Sequence, residues 1–190
     1  DADGVHKGVH TAILSAAVSG LAMIFIGILL SRPMLEWMGT PANIIDQATL
    51  YIRIFFLGMP ALLLYNFGAA ILRAVGDTRR PLYFLIIAGV VNVLFNLFFV
   101  IVFHMGVAGV AIATIISQYI SATMILICLT KNEGVCRLMP KELRIHKEQL
   151  AEILRIGLPA GLQGVIFNIS NVLIQSSVNS FGSVVVAGNT

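Results

Sequence analysis

The side chains able to do chemistry in this chain are mostly neutral ones set in apolar surroundings. Asn92 and Asn96 stand four residues apart, so on a helix they share a face one turn apart. Thr114, Ser117, Gln118 and Ser121 form a second group, and at 3.6 residues per turn they fall within an arc of about 100°. A third group, Asn168, Asn171, Gln175 and Asn179, continues the face opened by Gly157, Gly161 and Gly164, all within roughly 80°. Amide and hydroxyl oxygens are hard ligands suited to a hard cation or to a proton-linked network. The same groups also act as hydrogen-bond glue between helices, worth about 1 kcal/mol or less. For Asn92, Asn96 and Thr114 both readings stand open. The Thr114–Ser121 stripe fits close packing and a hydrated cavity wall equally well. The ladder through Asn168, Asn171 and Gln175 is longer than one packing contact needs and points to a face lining a cavity.

Other chemistries find little support. His6, His10, His104 and His146 sit in or near loops and are expected to form no pair with metal spacing. No serine, histidine and acid constellation falls at one depth, so neither a catalytic residue nor a metal ligand is assigned, and the chain is not expected to be an enzyme. Cys128 and Cys136 read as free thiols. The segment 73–81 lacks the Gly-Lys-Ser/Thr ending of a phosphate-binding loop. Structural capping explains it: Gly76 suits a helix C-terminus, and Asp77 or Thr78 the start of the next helix.

The elements that must position these residues follow from composition. Of 190 residues, 58% are hydrophobic and only 11% charged, and mean hydropathy is +0.93. A soluble domain carries about 25% charged residues, and a domain this small exposes too much surface to hide so much apolar area from water. The natural solvent is lipid. A bilayer core of about 30 Å needs about 20 apolar residues in a helix, and five stretches qualify: 8–30, 49–72, 81–103, 107–130 and 156–186. The expected fold is therefore an all-α polytopic transmembrane helix bundle with about five spanning helices. Pro60, after Gly58, is expected to kink the second span. Segments 73–80 and 104–106 are too short for a domain and force antiparallel neighbours. Equal residue counts from the second of these turns place Asn96 level with Thr114. From Pro140 the longer segment 131–155 reads as a short amphipathic helix, either interfacial or solvated, with Leu143, Leu150, Ile153 and Leu154 on one face.

Lysine and arginine set the orientation. With a cytoplasmic N-terminus, ten of them (Lys7, Arg73, Arg79, Arg80, Lys131, Arg137, Lys141, Arg144, Lys147 and Arg155) lie inside, against Arg32 and Arg53 outside. The basic pI thus reflects membrane topology, and no nucleic-acid partner is expected. No charged residue lies deep in any span. Coupling to protons or sodium usually needs an intramembrane carboxylate, so one is expected beyond this stretch, which reads as an internal piece of a longer protein.

The run from Leu72 through Arg73, Gly76, Asp77, Thr78, Arg79 and Arg80 to Pro81, the Asn92/Asn96 helix, and the run from Gly106 through Gly109 and Thr114 to Gln118 together resemble the multidrug and toxic compound extrusion (MATE) family, its prokaryotic branches most. The resemblance covers essentially the whole chain. It implies a partial copy of a two-lobe, twelve-helix transporter. Residues 1–130 would be four spans of the N-terminal lobe, 131–155 the cytoplasmic connector between lobes, and 156–190 the first helix of the C-terminal lobe. It further implies a cell (inner) membrane antiporter that exports cationic or amphipathic small molecules in exchange for H+ or Na+, with no other cofactor and no obligate protein partner. Asn92, Asn96 and Thr114 match the family's ion- or proton-coupling site. Asn96 departs from it, standing where the pattern often has aspartate. Gln118, Asn168, Asn171 and Gln175 would line the substrate cavity. Two other functions compete: a flippase of lipid-linked oligosaccharide, which should show intramembrane basic residues, and a non-transporting scaffold, which does not need polar cavity faces.

Overall fold

The computed structural model describes residues 2–37, 42–132, 134 and 136–180, with side chains between residues 3 and 171 of those ranges. Among the described residues six α-helices follow one another: α1 (Ala2–Trp37), α2 (Ile45–Leu57), α3 (Met59–Ala74), α4 (Arg79–Leu97), α5 (Gly106–Lys131) and α6 (Lys147–Ser180). A π-helical turn, Phe98–Val102, extends α4, and a 3-10 turn, Pro140–Glu142, precedes α6. There is no strand among the described residues. Among the described residues, four helices are long and apolar enough to cross a membrane, and α2 with α3 make a fifth span if the bent pair is counted as one. The expected all-α membrane bundle is therefore what forms. The chain divides into two compact units, Asp1–Gln149 and Leu150–Thr190.

Two local expectations need correction. The second span is broken rather than merely kinked: α2 and α3 meet at Gly58 with a 43° bend. Pro60 supplies no N–H to the preceding turn, and Gly58 bonds back to Phe55 O at 3.0 Å, closing α2 early. The connector also has no amphipathic helix of its own. Residues 143–146 are not helical, and α6 then runs unbroken from Lys147 through Pro159. The amphipathic stretch read from Pro140 therefore mixes a non-helical segment with the first turns of α6.

Within the first unit, α1 packs on α2 and α3, and α5 packs on α2, α3 and α4. Gly20 makes the approach to the broken span possible, because a Cβ there would run into the backbone of Pro60. Gly76 takes the left-handed conformation (φ 86°) that ends α3, and the Asp77 carboxylate accepts the Arg80 N–H at 3.1 Å. Of the two capping candidates, Asp77 is the one that bonds. Tyr65 donates to Pro81 O at 2.8 Å and ties α3 to the first turn of α4.

The buried core gathers at one end, from Val9 and Ile13 on α1, Ala69 and Leu72 on α3, Ile125 and Leu129 on α5, and Cys136 and Leu138 from the connector. Two adjacent residues of α1 hold that connector. His10 is 1% exposed. Its Nδ1 lies 2.7 Å from His6 O, and since a carbonyl only accepts, Nδ1 carries the proton. Its Nε2 is then a lone pair, which accepts the Met139 N–H at 3.0 Å. Thr11 Oγ1 accepts the His146 N–H at 3.1 Å. Every polar atom of the His10 ring is thus satisfied within the protein, as burial demands.

Burial pushes the Cys136 thiol above its usual pKa, which keeps it from the reactive thiolate form. His10→Ala leaves Met139 N–H without its acceptor, a loss of about 1–3 kcal/mol. In the full-length protein that variant is expected to expose Cys136 and raise its alkylation by iodoacetamide by roughly 10-fold, the change that about 1.4 kcal/mol of local stability produces. Peptide mass spectrometry after timed labelling measures it.

Candidate functional site

The tight turn between α4 and α5 uses two residues with positive φ, His104 (52°) and Gly106 (56°). It brings the two polar faces of these helices together. Asn92 is the hub. Its Nδ2 lies 3.4 Å from Thr114 Oγ1 and 3.4 Å from Ser117 Oγ, while its Oδ1 accepts from Asn96 Nδ2 at 3.0 Å. The protons are assigned by exhaustion. Thr114 donates to Val110 O at 2.9 Å and Ser117 to Thr114 O at 2.7 Å, so each hydroxyl has only lone pairs left for Asn92. An amide has two N–H protons, and Asn92 spends one on each hydroxyl. Its oxygen then faces Asn96, which must present its own NH2 there.

This chain of donors ends on a bare acceptor. Asn96 Oδ1 is buried and has no hydrogen-bond partner among the described residues. Gln118 Oε1 is in the same condition and lies against Gly58, where a Cβ would overlap it. A cavity of about 290 Å³ opens between α3, α4 and α5, bounded by Leu62, Tyr65, Leu85, Asn92, Gln118 and Ser121 among others. It lies just under the size range of small-molecule pockets, about 300–1,000 Å³. Two amide oxygens stripped of water in an apolar setting are costly as they stand. Chemically, they can coordinate a hard cation or accept a proton-bearing group.

Asn92, Asn96 and Thr114 are therefore brought together, with one change of pairing. Asn96 does not bond Thr114; it reaches Thr114 through Asn92. The π turn at Phe98–Val102 packs more residues per turn than an α-helix, so equal residue counts from the turn do not mean equal depth. Ser117 enters the cluster as a full partner. Gln118 lines the cavity with Asn92. Asn168 and Asn171 lie on α6, in the second unit, exposed and at one-face spacing on an unbroken helix. Gln175 shares that helix, but its side chain lies outside the described residues, as does that of Asn179.

One participant carried no signal of its own in the sequence. Tyr119 donates to Leu57 O at 3.0 Å, at the last residue of α2. The only hint is Pro60, which must leave backbone polar groups for a neighbour to satisfy. The histidine expectation also needs correction: His6 and His10 stand one turn apart on α1 with ring centroids 4.2 Å apart, and Glu142 joins them.

Comparison with known proteins bears on the whole arrangement. Residues 1–98 match the MatE family model. YpnP of Bacillus subtilis (strain 168), described as a probable multidrug resistance protein, is 38% identical over 187 residues, covering 96% of this chain and 41% of that protein. Among solved structures, a MATE protein in its bent conformation superposes with a TM-score of 0.82 at 22% identity, over 98% of this chain and 46% of that one. The inward-facing and outward-facing forms of a multidrug resistance MATE family transporter superpose with TM-scores of 0.70 and 0.79, again at 22% identity. They cover 83% and 93% of this chain, and 41% and 44% of theirs. The chain thus spans about two fifths of the length of the curated relatives it matches.

Tyr119→Phe removes the donor at the helix break and leaves Leu57 O unpaired, at a cost of about 1–2 kcal/mol. The expected result is a lower Tm for the full-length protein in detergent. Tyr83→Phe, whose hydroxyl makes no hydrogen bond among the described residues, is expected to leave it unchanged.

Proposed function

The chain belongs to the MatE family, and from that membership we propose that it forms part of a secondary active antiporter exporting drugs or organic cations in exchange for H+ or Na+. It is part of a multi-pass membrane protein. The proposed setting is the cell inner membrane, with the start of α1 on the cytoplasmic side.

One observation carries the coupling assignment: the buried, unpartnered Asn96 Oδ1 at the end of the Asn92 hydrogen-bond chain. An orphaned buried acceptor costs about 1–3 kcal/mol, and a cation or proton donor arriving there recovers it. Asn92 and Thr114 hold Asn96 in the orientation that presents its oxygen. Neutral amides do not titrate, so H+ coupling needs a carboxylate from the remainder of the protein, whereas Na+ finds oxygen ligands here directly.

Binding moves a transporter only through differential affinity for its two states. Gln118 supplies the connection. Its unpaired oxygen sits beside Gly58, at the break between α2 and α3, so a ligand drawing on Gln118 acts on the one bent span of the first unit. The cavity bounded by Leu62, Tyr65, Leu85 and Gln118 is the proposed contact of this unit with an amphipathic substrate. Asn168, Asn171 and Gln175, at one-face spacing on α6, are proposed to contact substrate in the full-length protein. Alternating access between inward- and outward-facing forms, the two forms known for a transporter of this fold, is the proposed mechanism.

In cells expressing the full-length protein, Asn92→Ala is expected to slow dye efflux driven by an imposed Na+ or H+ gradient by about 10-fold or more, the rate equivalent of 1.4 kcal/mol, at unchanged abundance in the membrane. Efflux that keeps its full ion dependence in Asn92→Ala would sink the coupling assignment. Gln118→Met is expected to reduce efflux while leaving the protein folded, since it replaces an unsatisfied oxygen with an apolar group of similar length.

A further inference from the structure

The start of α1 and the turn before α6 bring together three groups that the transport reading leaves unused. One ligand atom each of His6, His10 and Glu142 lies within 4.8 Å of the others. His6 Nε2 and Glu142 Oε2 are 3.7 Å apart. Bonds of 2.0–2.1 Å in a tetrahedral zinc site put neighbouring ligand atoms about 3.3 Å apart. For that pair, closing the difference takes a few tenths of an ångström from two side chains that are 30% and 56% exposed; the separations to His10, bounded by 4.8 Å, close by up to about 1.5 Å.

His10 is already turned for the task. Its Nδ1–H donates to His6 O, and a second-ring-nitrogen bond to a backbone carbonyl is how metal-bound imidazoles are held and oriented. That leaves the Nε2 lone pair facing the connector, where it accepts the Met139 N–H. Both Met139 and Glu142 belong to one short turn, closed by Glu142 N–H to Met139 O at 2.9 Å. A metal taking the Nε2 lone pair displaces the Met139 N–H but gains Glu142 from the same turn, so metal ligation takes over from that hydrogen bond as the link between connector and α1.

The electrostatics select the class of ion. The surrounding cavity of about 270 Å³ also presents Asp3, Lys7, Lys141, Arg144 and His146. Lys7 pairs with Asp3, which leaves Lys141 and Arg144 against a single Glu142. A hard cation that relies on several carboxylates gains little in such a site. Ions that favour imidazole nitrogen, Zn2+ foremost among those available to cells, bind on ligand chemistry instead.

We propose that His6, His10 and Glu142 form a binding site for a divalent transition metal, Zn2+ by preference, which staples the connector turn to the start of α1. The site lies outside the Asn92 cluster and does not depend on the transport reading.

The test uses purified full-length protein in detergent, titrated with ZnCl2 against a chromophoric zinc indicator, with Mg2+ in millimolar excess. The wild type is expected to show a saturable Zn2+ site that Mg2+ does not compete for. His6→Ala and Glu142→Gln, at positions whose side chains take no part in the His10 hydrogen bonds, are expected to weaken it by at least about 10-fold, and His6→Cys, which replaces one zinc ligand with another, to restore it. Zn2+ should also slow trypsin cleavage after Lys141 and Arg144 in the wild type and not in the two weakened variants. Superimposable titrations for wild type and both variants, or cleavage indifferent to Zn2+ in the wild type, would overturn the proposal.

Discussion

A bilayer core holds no water to satisfy a hydrogen-bonding group, so each one must find its partner inside the protein or remain costly. That constraint explains why the first unit is built of helices, which close their own backbone bonds, and why the break between α2 and α3 is attended by a side chain. Where α2 gives way to α3 at Gly58, Tyr119 reaches across from α5 to Leu57 O. Thr49, Thr114, Ser117, Ser121 and Thr123 all turn their hydroxyl protons back onto their own helices. Against this thrift, the amide oxygens of Asn96 and Gln118 are left bare among the described residues, as is the Ser15 hydroxyl, and the two amides are the ones on which the proposed binding role rests.

The two ends of the unit use polar groups in opposite ways. At the connector end, His10 and Thr11 are buried and fully engaged, and they hold the connector together with the buried Cys136 and Leu138 and the Leu138 N–H to Leu129 O bond of 3.0 Å. The apolar cluster of Val9, Ile13, Leu72, Ile125, Leu129 and Leu138 lies with them and makes this the rigid end. Toward the α4–α5 turn, Asn92 spends all its capacity in organising its neighbours, and the surplus acceptor appears one step further on. A firmly packed end thus contrasts with a polar, incompletely satisfied cluster. Small residues make the bent span possible: Gly20 admits the backbone of Pro60, and Gly58 admits the amide of Gln118.

Much of this was legible in the residue order, for identifiable reasons. Hydrophobic runs bounded by Arg73, Pro81 and Lys131 mark helices because length and apolarity are what a bilayer selects. The spacing of Asn92 and Asn96 placed them on one face because helical periodicity leaves no alternative. Gly76 and Asp77 announced a helix end and a helix start through backbone chemistry that is local to them. By contrast, the separate connector helix expected from Pro140 failed because its apparent amphipathic pattern spans a stretch whose conformation is set by Thr11 and His10, more than a hundred residues earlier in the chain.

The sequence by itself determined the class of solvent, the number of crossing elements, the polar faces and, through the run around Gly76–Pro81 and the helices after it, the family. These are properties of composition and of short periodic spacing, and they survive without knowledge of any contact. Only the tertiary structure decided that Asn92 and not Asn96 meets Thr114, that Tyr119 mends the broken span, and that His6, His10 and Glu142 converge. Each of those depends on the relative rotation and depth of two helices, and a single extra residue in the π turn of α4 is enough to change which side chains face each other.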